Sequence, residues 1–159
     1  MLATMLHVFA RIPRGTEEML RDRRSSPLRL PTVLVIDDDA DARRIFAEFL
    51  RSRGWTVFTA SDGRTGIDKI HDLAPDTVVL DLAMPRVDGW TVLKQLRESS
   101  WTARIPVVVV SALQDARDEA IRAGSDAYLS KPCMPDVLFL QICALLNPEL
   151  SGTMGGLRP

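Results

Sequence analysis

The stretch VLVIDDDADARRIF, residues 33–46, sets four apolar residues directly against three aspartates. Val33, Leu34, Val35 and Ile36 form an apolar run of strand length. Ala42, Ile45, Phe46, Phe49 and Leu50 follow at i, i+3, i+4, i+7 and i+8, the spacing of one helix face. Asp37, Asp38 and Asp39 therefore stand where a buried strand ends and a helix begins. Adjacent carboxylates repel one another, and a strand end keeps three of them at a cost unless positive charge sits close by.

The same alternation continues along the chain. Gly54 can close the first helix in the left-handed conformation. TVFTA (56–60) reads as a second strand, SDG (61–63) as a turn, and 64–73 as a helix with Ile67 and Ile70 inward. TVVLD (77–81) is a third strand, again apolar and again ending on an aspartate. MPRVDG (84–89) is a loop, and Trp90, Leu93 and Leu96 mark a third helix. IPVVVVSA (105–112) is a fourth strand, 114–123 a fourth helix closed by Gly124, DAYLS (126–130) a fifth strand, and KPCMP (131–135) leads into a last helix through about Leu146. Strands that read as continuous apolar runs are buried on both faces. The expected fold is α/β, a doubly wound five-stranded parallel sheet with helices on both faces, and ligands bind such sheets at the carboxyl ends of the strands.

The totals agree with one soluble domain plus excess chain at its ends: 159 residues, net charge -1 and no apolar run of membrane-spanning length. The charge is uneven. Residues 1–31 carry Arg11, Arg14, Arg21, Arg23, Arg24 and Arg29 against Glu17, Glu18 and Asp22, with Pro13, Gly15, Pro27 and Pro31 among them. The expected organisation is a flexible N-terminal extension (1–31), a folded domain (32–146) and a C-terminal tail (147–159). MLATMLHVFA lacks a preceding positive segment, so it does not read as a signal peptide. Cys133 and Cys143 match no metal spacing and suggest a reduced, cytoplasmic setting.

In this topology Asp37 and Asp38 lie at the end of the first strand, Asp81 at the end of the third, Ser111 at the end of the fourth and Lys131 just past the fifth. Clustered carboxylates suit a hard divalent cation such as Mg²⁺, which takes oxygen ligands and keeps several waters. A lysine supplies a compact positive charge, and a serine hydroxyl a donor for a phosphoryl oxygen.

Residues 32–146 resemble the receiver domain of bacterial response regulators, in overall shape the single-domain, chemotaxis-type receivers. The fragments that carry the resemblance are VIDDD (35–39), VVLDLAMPRVDG (78–89), VVVVSA (107–112) and AYLSKP (127–132). The resemblance implies that Asp81 is the phosphoacceptor. It implies that Asp38, Asp81 and the backbone carbonyl of Ala83 hold Mg²⁺ directly, with Asp37 acting through a metal-bound water. Lys131 would pair first with Asp81 and then with the phosphoryl group. Ser111 and Tyr128 would be the switch pair, and Lys131–Pro132 a cis bond. It also implies a two-component phosphorelay role. The donor would be a histidine kinase or a histidine phosphotransfer protein. A downstream protein would meet the 114–146 surface, which also allows a homodimer. No role in nucleic-acid binding by the chain alone and no membrane contact are expected.

Plainer readings stand beside these. Asp39 or Asp41 could cap the first helix, and Asp88 the third. Met84 would pack. Trp55, Trp90 and Trp101 would be structural, and His7 and His71 bystanders. Cys133 stands where the family often has phenylalanine. Ala83 and Leu113, two residues beyond Asp81 and Ser111, are both apolar and cannot orient an attacking water, which leads to an expectation of slow self-dephosphorylation. Two rival functions remain: an Mg²⁺-dependent phosphohydrolase with Asp81 as nucleophile, which would want an acid at position 83, and a degenerate receiver that only binds.

Overall fold

The computed structural model describes residues 30–147. The expected N-terminal extension up to residue 29, with His7, and the tail from residue 148 lie outside the described residues.

Five strands, β1 (Thr32–Ile36), β2 (Thr56–Ala60), β3 (Thr77–Leu80), β4 (Val107–Ser111) and β5 (Ala127–Ser130), form one parallel sheet in the order β2-β1-β3-β4-β5. Helices α1 (Ala40–Ser52), α2 (Gly63–Leu73), α3 (Gly89–Glu98), α4 (Arg117–Arg122) and α5 (Pro135–Leu146) follow the strands in turn. This is the expected doubly wound α/β fold. Alternate strand residues point to opposite faces, so β1 serves two cores. Leu34 and Ile36 pack with Ile70 of α2, Val92, Leu93 and Leu96 of α3, and Ala120 of α4. Val33 and Val35 pack with Phe46 and Leu50 of α1 and with Leu138 and Ile142 of α5.

The strand order creates the crevice. β1 lies between β2 and β3, so the chain leaves β1 toward one side of the sheet and returns on the other. Ile36 is in register with Leu80, which puts Asp37 and Asp81 side by side just beyond two neighbouring strands. The Asp81 amide donates to the Ile36 carbonyl at 2.9 Å and locks that register.

Several local expectations shift. Ile45 is exposed and Ala47 buried, so the inward face of α1 centres on Phe46, Ala47 and Leu50. β3 ends at Leu80, one residue before Asp81, and β4 and β5 begin at Val107 and Ala127. The fourth helix starts at Arg117 rather than 114: Asp115 has φ 58 and Ala116 supplies no side-chain cap, so the preceding residues cannot extend the helix. Gly54 (φ +85) and Gly124 (φ +102) close α1 and α4 in the left-handed region as expected. Arg97 ties two connections together, donating to the carbonyls of Gly124 (2.7 Å), Ala103 (3.2 Å) and Ile105 (3.0 Å) and pairing with Asp126 at 2.9 Å.

Gly89 and Gly54 are needed for different reasons. A methyl on Gly89 would run into the Asp81 carbonyl oxygen and stand 2.6 Å from Leu82 Cα, whereas one on Gly54 meets nothing within 4 Å. Gly54→Ala is expected to cost about 1–2 kcal/mol through its backbone angle alone. Gly89→Ala is expected to cost more than about 3 kcal/mol, because backbone must move. Urea unfolding of the two variants checks this, and an equal or smaller loss at Gly89 would contradict the tight seat of α3 against Asp81.

Candidate functional site

Each acidic residue at the sheet's carboxyl edge has a distinct environment. Asp37 is buried, and its Oδ1 accepts the Asp39 amide at 2.9 Å. Asp38 is exposed. Asp39 caps α1: its Oδ1 accepts the amides of Asp41 (2.8 Å) and Ala42 (3.3 Å). Those bonds, that from Ala42 foremost, hold its carboxyl below the usual range. Of the three consecutive aspartates, then, the third serves the helix and the first two face the crevice. Asp81 is buried just past β3, with the Ala83 amide donating to its Oδ1 at 3.2 Å. One carboxylate oxygen from each of Asp37, Asp38 and Asp81 comes within 4.8 Å of the others.

Lys131 answers the charge problem posed by the sequence. Its Nζ lies 2.8 Å from Asp37 Oδ2 and 2.8 Å from Asp81 Oδ2. The β5–α5 turn carries it there, with the Lys131 amide bonded to the Ser111 carbonyl at 2.9 Å and a cis Lys131–Pro132 bond following, as expected. Burial disfavours the ammonium, but the bonds to Asp37 and Asp81 outweigh it and raise its pKa. Burial dominates at Asp37 and pushes its carboxyl up despite Lys131. Three carboxylates against one ammonium leave two negative charges, and every available donor is oxygen. The residues present fit a hard divalent cation with an open, solvent-facing side at Asp38.

Ser111 is buried beside this cluster, and its Oγ accepts the Leu113 amide at 3.4 Å. Tyr128 is buried too, and its hydroxyl donates to the Leu113 carbonyl at 2.7 Å. Burial raises the Tyr128 pKa, and the nearby Asp81 charge raises it further. The structure thus brings Asp37, Asp38, Asp81, Ser111, Lys131 and Tyr128 to one edge. Ala83 is exposed next to Asp81. Asp88 caps α3 through the Thr91 amide at 2.8 Å. Met84 is buried, and Trp101 stacks on His71 at 5.9 Å, away from the cluster. Burial raises the thiol pKa of Cys133, which gives it no enhanced reactivity. Sequence reasoning missed Arg43, whose guanidinium donates to the Asp37 carbonyl at 2.7 Å. Its signal was an arginine one turn into the helix that follows the aspartates.

The family described as response regulator receiver domain matches residues 33–142. The chain belongs to that family. Among curated relatives, the DNA-binding dual master transcriptional regulator RpaA of Synechocystis sp. is 37% identical over 120 residues, covering 74% of this chain and 50% of that protein. The response regulator MprA of Mycolicibacterium vanbaalenii is 38% identical over 117 residues, covering 72% and 50%. The chain therefore spans about half the length of these relatives. Among solved structures, a putative response regulator from Chloroflexus aurantiacus superposes with TM-score 0.71 at 29% identity, over 74% of this chain and 98% of that one. The Vibrio cholerae chemotaxis protein CheY4 superposes with TM-score 0.68 at 26% identity, over 72% and 98%. Membership carries a phosphoacceptor role in two-component signalling, as a signalling domain, with Mg²⁺ held at an acidic cluster. The narrower chemotaxis-type resemblance is not what the curated relatives indicate, since several of them are transcriptional regulators. Among the described residues, no helix is long and apolar enough to cross a membrane.

The burial at Asp37 has a sign that can be tested. Its folded-state pKa lies above its ordinary value of 3.8, so the folded chain holds that proton more tightly than the unfolded chain. The ionised carboxylate therefore costs stability above the folded-state pKa, and the cost disappears as pH falls through that value toward 3.8. With divalent cations chelated at neutral pH, Asp37→Asn is expected to melt roughly 2–5 °C higher than the wild type, with the gap closing on acidification. A variant that melts lower at neutral pH would show that the pair with Lys131 outweighs burial.

Proposed function

We propose that this chain is a phosphorylation-switched receiver in which Asp81 accepts a phosphoryl group from a histidine kinase or a histidine phosphotransfer protein. The observation that carries this reading is the bridge of Lys131 between Asp37 and Asp81, with Asp38 open beside it. In the reaction an Asp81 oxygen attacks phosphorus as the phosphorus–nitrogen bond of the donor breaks. The bonding pair leaves with the imidazole nitrogen. Transfer of this kind relies on positioning and on charge stabilisation more than on covalent chemistry. Lys131 holds the carboxylate in place and is close enough to follow the charge as it moves outward to the phosphoryl oxygens. Asp37, Asp38, Asp81 and the Ala83 carbonyl would hold Mg²⁺, which when bound neutralises phosphoryl charge.

The response would run through Ser111, Leu113 and Tyr128. The new group adds roughly -1.5 to -2 charge next to a buried hydroxyl. Moving Ser111 toward it disturbs the Leu113 amide, and the Leu113 carbonyl is what Tyr128 holds. The output surface would be residues 114–146, where Ile121, Met134, Val137 and Leu140 are exposed apolar side chains. A downstream protein or a second copy of the chain could use it. A cytoplasmic setting remains our reading for this receiver. The regulators among its relatives give no support to the expectation that it avoids nucleic acid, so a gel-shift assay belongs with the first experiments. The hydrolase reading is weaker, because position 83 is alanine. The binding-only reading is weaker because the acceptor, the lysine and the hydroxyl converge.

Incubation with acetyl phosphate and Mg²⁺ is expected to give a band retarded on a phosphate-binding gel. Asp81→Asn and chelator should each abolish it. A band that survives in Asp81→Asn would move the acceptor elsewhere. No band from a folded wild type, with either acetyl phosphate or a panel of kinases, would favour a binding-only module. Once labelled, the wild type is expected to lose phosphate slowly. Ala83→Asn should speed that loss about tenfold, the worth of one well-placed polar contact, and fast loss unaffected by the substitution would contradict this.

A further inference from the structure

Arg43 sits in the first turns of α1, where a cation is not favoured. The N-terminal end of a helix carries partial positive charge, and helix stability alone would choose an acidic side chain there. Its guanidinium instead turns back and donates from Nη1 to the main-chain carbonyl of Asp37 at 2.7 Å. That carbonyl belongs to the peptide group joining Asp37 to Asp38. The Asp37 amide is held by the Ala60 carbonyl at 3.2 Å. The Asp37 side chain is held by Lys131 and by the Asp39 amide. Among the described residues no hydrogen bond reaches the exposed Asp38 carboxylate, so what the structure holds is the backbone that sets the Cα–Cβ direction of that side chain.

We infer that Arg43 is a positioning residue for the acidic cluster: by fixing the Asp37–Asp38 peptide it aims the Asp38 carboxylate at the point shared with Asp37 and Asp81. The inference rests on reading that cluster as a divalent-cation site. It can be separated from a charge effect by sign. A guanidinium near three carboxylates repels a cation, so removing it would tighten Mg²⁺ binding if charge were all that mattered. A positioning role predicts the reverse.

The test is calorimetric titration of the full chain with MgCl₂, for the wild type, Arg43→Ala and Arg43→Lys, with thermal unfolding measured alongside. Residues that orient metal ligands from behind commonly change affinity by about 10–100-fold. Arg43→Ala is expected to weaken Mg²⁺ binding at least about tenfold. Arg43→Lys, which keeps one donor able to reach the carbonyl, should recover part of the loss. Tighter binding in Arg43→Ala would make the residue a charge term only. A lowered melting temperature with unchanged affinity would make it a purely structural contact. Either result overturns the inference. If Arg43→Ala does not fold, Arg43→Lys and Arg43→Gln decide it by the same comparison, since Gln keeps a shorter donor without charge. A wild type that binds no Mg²⁺ would instead remove the cation-site reading itself, and the inference with it.

Discussion

One ammonium among three carboxylates is the constraint around which this edge of the molecule is arranged. Two like charges about 5 Å apart repel by roughly 3 kcal/mol at the effective dielectric found near protein surfaces. Lys131 reaches both buried carboxylates at 2.8 Å and offsets that repulsion for Asp37 and Asp81. It cannot neutralise all three. The remaining negative charge is stored on a rigid frame, because the strands beneath are buried on both faces. A site that is short of positive charge, and cannot relax, is prepared for a cation, which in turn offsets the negative charge of an incoming phosphoryl group.

The frame and the response are built from different materials. Asp37 and Asp81 follow neighbouring central strands whose register is fixed by backbone bonds. Ser111 and Tyr128 also belong to strands, but the residue linking them, Leu113, lies in the β4–α4 connection. There Asp115 adopts a positive φ and the six-residue α4 starts without a side-chain cap. A helix that short contributes little stability of its own. A segment with little helical stability of its own thus stands between the buried Ser111 hydroxyl and the exposed apolar residues of the 114–146 surface.

Much of this was legible from residue pattern. Apolar runs ending on Asp37, Asp81 and Ser111 gave the strands and their common edge, because side-chain period and strand direction together decide where strand ends meet. The inward face of α1 was less legible. Ile45 fits the helical spacing of the apolar residues, yet it is exposed and the small Ala47 is buried in its place. The start of α4 was hidden for a similar reason: LQDARDEA has ordinary helix-forming residues, and no sequence rule marks Asp115 as left-handed. The Asp37–Arg43 contact depends on a side chain folding back over its own helix, which spacing alone does not reveal. Asp39 shows the opposite case, since the capping reading of one aspartate is what the structure shows, while the other two stand close to Asp81.

The most direct test of stored negative charge is the melting temperature of the wild type as a function of Mg²⁺ concentration, at constant ionic strength, with Asp38→Asn beside it. A ligand that binds only the folded state stabilises it by about 2.7 kcal/mol at a hundred times its Kd. The account predicts a melting temperature that climbs steadily with the logarithm of Mg²⁺ concentration in the wild type and stays nearly flat in Asp38→Asn. A flat wild-type curve, or an equal climb in both proteins, would contradict it.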